Sequence, residues 1–288
     1  MKSVFPILTV VAAIIAIWYA GAVWMNSQWT LDQARRAGVE LTLPEIIRDT
    51  MNQERATLPA PHQVVAEIWK TTAEKKITSK RSLIFHSWIT LHATLWGFAL
   101  GALIGLTLAI FIVYSRVMDM SVMPWAIISQ TVPIVAIAPM IIVVMSSMGI
   151  QERLVPKAII AAYLCYFPIL VGMVKGLRSP DAMQLDLMKT YNASNRQSFW
   201  KLRLPSSMPY LFTSMKIGIA AALVGTIVGE LPTGALRGLG ARILIGDQFG
   251  PPIRIWSALI MASILAGGLV AIVGLIQRIT LKRMGMNQ

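Results

Sequence analysis

Residues Asp186–Pro209, DLMKTYNASNRQSFWKLRLPSSMP, form a polar, basic passage between two apolar runs, each long enough to cross a membrane. Upstream, Ser179-Pro180-Asp181 supplies an N-cap serine, a proline suited to the first helical position and an acid suited to the positive helix end. The spacing predicts a short helix from Pro180 to about Tyr191, with Met183 and Leu187 on one face and Leu185 and Met188 at its sides. Asn192 follows, a residue type that tolerates the left-handed conformation that ends helices. Ser194-Asn195-Arg196-Gln197 then has the form of a capping box. A second helix is expected through Phe199 and Leu202, stopping near Leu204 because Pro205 follows. The passage is too small for a core of its own, so its apolar side chains need a surface to cover. That surface is its own membrane, neighbouring loops or another protein.

The rest of the chain fixes the setting. Of 288 residues, 56% are apolar and 14% charged, against roughly 25% charged in soluble domains. Apolar segments at about Val4–Met25, Trp88–Val113, Met123–Met148, Val155–Val174, Tyr210–Leu231 and Ile255–Ile279 can each span a hydrocarbon layer of about 30 Å. The expected fold is an all-α membrane protein of about six transmembrane helices. Residues 1–25 form an N-terminal span, 26–87 an outer loop with an amphipathic segment, and 88–288 a five-helix core that includes the loop 175–209.

The net charge of +13 would suggest nucleic acid in a soluble protein, but here the bases sit in loops between spans, so no nucleic-acid partner is expected. With both termini cytoplasmic, the cytoplasmic pieces hold Lys2, Arg116, Lys175, Arg178, Lys189, Arg196, Lys201, Arg203, Lys282 and Arg283 against Asp119, Asp181 and Asp186, in line with the positive-inside rule. Lys75, Lys76, Lys80 and Arg81 precede the second span on the outer side and run against it. Lys2, the first apolar run and Ala20-Gly21-Ala22 also fit a signal peptide. The length of the run and the belt of Trp18, Tyr19, Trp24 and Trp29 fit a retained helix.

Few residues suggest chemistry. Cys165 is alone in an apolar run, and the three histidines lack metal-ligand spacing. No G-x-S-x-G is present, nor the G-x-x-x-x-G-K-[ST] loop that cradles ATP phosphates. Gly97, Gly101 and Gly105 share a helical face that allows close helix packing, within one chain or between two. Gln130 and Thr131, just before Pro133, are polar groups inside the third apolar run, suited to a substrate path or to a packing hydrogen bond. Glu230 ends the fifth run. It lines an outer vestibule, holds a gate through Arg237 or Arg242, or is a solvated helix-end charge. In a vestibule, its charge would disfavour a strongly anionic solute.

The loop also carries a resemblance. Asp186-Leu187-Met188, Asn192-Ala193-Ser194, Phe199, Leu202, Leu204-Pro205 and Pro209 resemble the EAA loop of type I ABC-importer permeases, a pattern of E-A-A, three residues, G-A, then F, an aliphatic residue, L-P and P. Aspartate stands for glutamate, Leu-Met for the alanines and asparagine for glycine. Leu58-Pro59-Ala60-Pro61, Ser115-Arg116, Pro133, Pro139, Phe167-Pro168, Gly229-Glu230 and Gly238-Leu239-Gly240 resemble the nitrate, taurine, alkanesulfonate and pyrimidine-precursor subgroup. Residues 26–57 match no pattern. The resemblance implies an inner-membrane subunit without catalysis of its own, paired with a second permease subunit, normally an identical copy. A cytoplasmic ATPase dimer would bind ATP and Mg. A periplasmic or lipid-anchored binding protein would deliver the solute. Met183, Asp186, Leu187, Met188, Asn192, Ala193 and Ser194 would then contact the ATPase, and Glu230 tilts the expected solute toward a pyrimidine or related heterocycle. The remaining alternatives are an ATP-independent transporter or channel and a membrane anchor without flux.

Overall fold

The computed structural model describes residues 4–53, 55–150, 152–232 and 237–286; Lys2 lies outside them. In chain order the helices are α1 (Val4–Ala37), α2 (Leu43–Asn52), α3 (Pro61–Thr72), α4 (Leu83–Tyr114), α5 (Arg116–Ser129), α6 (Ile134–Ser147), α7 (Leu154–Leu177), α8 (Ala182–Thr190), α9 (Asn195–Ser198), α10 (Leu204–Glu230), α11 (Leu239–Phe249) and α12 (Ile253–Arg283). The described residues contain no strand. Five helices are long and apolar enough to cross a membrane: α1, α4, α7, the run Asn195–Glu230 and α12. The pair α5 and α6 is long and apolar enough only when taken together, and it bends by 100° at the break, the geometry of a broken span or of a re-entrant loop.

The chain divides into two compact units. One comprises residues 1–87 with 241–262, the other 88–240 with 263–288. In the first, α1 runs past Met25 to Ala37, and its polar extension organises the segment 26–57. Asn26 brackets Leu58, donating from Nδ2 to the carbonyl (2.9 Å) and accepting the N–H at Oδ1 (3.2 Å). Thr30 donates to Asp49 of α2 (2.8 Å) and accepts from Gln53 (2.6 Å). The Glu45 carboxylate accepts the Thr42 N–H at 2.8 Å, closing the start of α2. The indole of Trp18 donates to Pro59 O at 3.1 Å and packs 5.4 Å from the Trp256 ring. Arg242 reaches Glu67 at 3.7 Å and Arg81 O at 2.9 Å.

In the second unit, α4, α7 and α10 pack at small residues. A Cβ on Gly97 would lie 2.8 Å from Ala158 O, one on Gly101 2.8 Å from Ala162 O, and one on Gly105 2.6 Å from Tyr166 O. These three glycines thus set the α4–α7 approach inside one chain. Gly225 meets the Ala161 backbone in the same way from α10. Close backbones replace the hydrophobic drive that lipid removes.

Two expectations about helix ends fail, each at proline. The third apolar run is not a straight span: α5 ends at Ser129 and α6 starts after Pro133. Proline lacks the N–H of the next helical bond and keeps the residue before it out of the helical region. By contrast, the helix expected to stop near Leu204 passes Pro205 and reaches Glu230. The turn Phe199–Arg203 is widened to the π form, with Leu204 N–H bonded to Phe199 O, five residues back. Opening one turn shifts the carbonyls that a proline ring would otherwise strike. The buried Ser207, in the first turn of α10, packs against Gly176 of α7.

Candidate functional site

The loop between α7 and α10 closes its own polar groups. α8 starts at Ala182, two residues later than the sequence suggests, with Asp181 as N-cap and its N–H bonded to Gln184 Oε1 at 3.2 Å. At the other end Asn192 adopts φ +50°. The Asn192 N–H bonds Lys189 O (2.8 Å) and the Ala193 N–H bonds Met188 O (2.9 Å), the paired closure of a Schellman motif. Ser194 and Gln197 exchange both bonds of a capping box, at 2.9 and 3.3 Å. Arg203 donates to Leu177 O at 2.8 Å, and Arg178 pairs with Asp119 at 2.8 Å, anchoring both ends of the loop.

The apolar groups of the loop are treated differently. Met183 is 80% exposed, Tyr191 77% and Leu187 56%. Met188 is half-buried, and Asp186 holds Lys189 at 2.9 Å on the surface. The backbone is therefore fixed without outside help, while one apolar face stands uncovered.

Gln130 and Thr131 fall in the elbow between α5 and α6. Gln130 reaches Tyr163 O at 3.5 Å, and Thr131 donates to Ile128 O at 2.8 Å. Tyr163 and Tyr166 of α7 grip Ser129 through its carbonyl and its hydroxyl. The elbow is thus polar, non-helical backbone inside an otherwise apolar run. Such breaks are tolerated at membrane depth where protein or a cavity lines them.

Of the readings open for Glu230, the solvated helix end and the vestibule lining fail. Glu230 is fully buried, neither solvated nor facing a vestibule. Lys157 of α7 lies 3.2 Å from Oε1. Thr90 of α4 donates to both oxygens, at 3.0 and 3.2 Å, and accepts Leu239 N–H at 2.9 Å. Gly240 N–H binds Oε2 at 2.7 Å. Gly238, at φ +123°, passes so close to the carboxylate that a side chain there would collide with it. Glu230 therefore ties three crossings and the start of α11 into one buried knot. Lys157 supplies the counter-charge inside this knot. The pairing with Lys157 escaped the sequence reading, although a lysine within an apolar run signals a buried partner.

Beside the knot, Trp88, Ile89, His92 and Ala93 of α4 and Arg153, Leu154 and Lys157 of α7, with Arg237, line a cavity of about 600 Å³. The Trp96 indole donates to the lining imidazole of His92 at 3.2 Å.

Comparison with known proteins accounts for this architecture. The chain is 30% identical to a probable ABC transporter permease protein of Haemophilus influenzae over 203 residues, 70% of this chain and 77% of the relative. It is 31% identical to the formylaminopyrimidine transport permease protein ThiX of Halalkalibacterium halodurans, covering 64% and 68% of the two chains. It is 30% identical to the riboflavin transport system permease protein RibX of Chloroflexus aurantiacus, covering 78% and 80%. The family described as the binding-protein-dependent transport system inner membrane component matches residues 99–286. With that match over most of its length and with its bundle of membrane helices, the chain belongs to the inner-membrane permeases of ABC importers.

Proposed function

We propose that this permease carries a pyrimidine or related nitrogen heterocycle, and that α8 is its contact with a cytoplasmic ATPase. The observation that carries the second part is the uncovered face of Met183, Leu187 and Tyr191 on a helix whose ends are already closed. An apolar face on a rigid frame is ready to fill a groove at little ordering cost. In this reading residues 175–209 and both termini are cytoplasmic, as the loop bases favour. Residues 1–25 are the N-terminal span, 26–87 lie outside, and 88–288 are the core. Two copies pair, a binding protein delivers the solute, and ATP with Mg binds in the partner ATPase. Met183, Asp186, Leu187, Met188, Asn192, Ala193 and Ser194 make the contact. Closure of the ATPase drags α8, and the elbow at Gln130 and Thr131 lies on the solute path.

The heterocycle rests on the names of the relatives at 30–31% identity, which transport a formylaminopyrimidine and riboflavin. It no longer rests on Glu230. The test of coupling is Asp186→Arg with Leu187→Arg in the assembled transporter. Uptake and ATPase co-purification should be lost while the chain still inserts; normal uptake overturns the assignment. For the solute, a thermal-shift screen of the accompanying binding protein should single out heterocycles, and a response confined to sulfonates or nitrate overturns that part.

A further inference from the structure

A groove of about 750 Å³ runs between α10 and the last turns of α12, far along the chain from the residues discussed above. Lys216 enters it from α10. Gly274, Arg278 and Lys282 follow one another at four-residue spacing on α12, so they share a face. The Lys216 stem passes beside Gly274, its Cε 3.4 Å from where a Cβ would stand. No Asp or Glu among the described residues lines the groove. Among the described residues, nothing pairs with the side chains of Lys216, Arg278 or Lys282. Gln277 also lines it, only 8% exposed, and its Oε1 has no hydrogen-bond partner. Three unpaired cations ask for an anion, and a buried bare carbonyl asks for a donor.

We infer that this groove binds the headgroup of an anionic phospholipid that carries a free hydroxyl, of the phosphatidylglycerol class. The phosphate meets Lys216, Arg278 and Lys282, and the glycerol hydroxyl donates to Gln277 Oε1. Arg278 and Lys282 occupy the last two turns of a crossing that ends at Arg283, which is headgroup depth whichever way the chain is oriented. Leu275 and Val270 supply an apolar wall for the upper acyl chain. Basic pockets between membrane helices at this depth suit lipid phosphates. A second copy of the chain is a poor occupant, because a two-fold contact would set two triads of cations face to face without an acid between them.

The test is native mass spectrometry on the delipidated, assembled transporter, titrated with phosphatidylglycerol, phosphatidylcholine and phosphatidylmethanol. The last has the same charge as phosphatidylglycerol and no hydroxyl. Phosphatidylglycerol should bind at least about tenfold more tightly than phosphatidylcholine. Neutralising the triad (Lys216→Gln, Arg278→Gln, Lys282→Gln) should weaken it on the order of 100-fold. Swapping the cations (Lys216→Arg, Arg278→Lys, Lys282→Arg) should preserve it. Gln277→Leu should erase the preference for phosphatidylglycerol over phosphatidylmethanol. If the neutral triple variant fails to assemble, single Arg278→Gln and Lys282→Gln changes should each cost several-fold. Equal binding of phosphatidylcholine, or indifference to neutralisation, overturns the site. Glycerol 3-phosphate binding as tightly as the lipid identifies a soluble phosphate and overturns the lipid. A cross-link between two copies through Arg278→Cys in native membranes assigns the groove to a dimer contact and overturns it as well.

Discussion

Glu230 is wholly buried with both carboxylate oxygens filled, while Met183 and Tyr191 stand about four-fifths exposed on a helix face that no described residue covers. Both regions satisfy their polar groups internally. They differ in what they do with apolar surface and charge. The knot hides a charge at the cost of desolvation and recovers it through Lys157, Thr90 and Gly240. The loop leaves oily side chains in the open and closes only its backbone. The first region buries its groups and the second leaves an apolar face in the open.

The largest expected effect comes from breaking the knot. Glu230→Ala leaves Lys157 buried without its counter-charge and should cost about 3–5 kcal/mol in denaturation of the purified chain. Pairing Glu230→Met with Lys157→Met should recover most of that loss; failure to recover would mean that the hydrogen bonds, not the charges, hold the crossings together. Next, Gly238→Ala forces a side chain at positive φ against the carboxylate and should cost about 1–3 kcal/mol in the same measurement. Moving to the loop, Asn192→Ala should cost about 1 kcal/mol, read as local amide exchange in α8, whereas Asn192→Gly should cost nothing. The smallest effect on the lone chain belongs to Leu187→Arg, within about 0.5 kcal/mol because the site is exposed. That same variant should nonetheless abolish uptake by the assembled transporter. A large loss of stability there would show that α8 is packed against the chain itself.

Much of the loop was legible because its signals are local. Asn192, Ser194 and Gln197 act within four residues, and their structures match what those residue types prefer. The crossings were legible from apolar length. Three things were not. α2 opens with Thr42-Leu43-Pro44-Glu45, a readable helix start overlooked in a segment that matched no pattern. The fate of a helix at proline depends on what packs around it. Pro133 breaks its crossing, while Pro205 is carried through because a widened turn and the contact of Ser207 with Gly176 compensate. The environment of Glu230 is assembled from residues 140 and 73 positions away, Thr90 and Lys157, which no local window brings together.

The continuity through Pro205 has a mechanical corollary. From Asn195 to Glu230 the chain is one 36-residue rod, about 54 Å long at the usual helical rise. A rod of that length is a lever arm: rocking it by about 5° about one end sweeps the other through roughly 5 Å. The loop caps one end of this rod, and the Glu230 carboxylate pins the other. The widened turn at Phe199–Arg203 interrupts the regular α-helical bonding near the loop end of that arm.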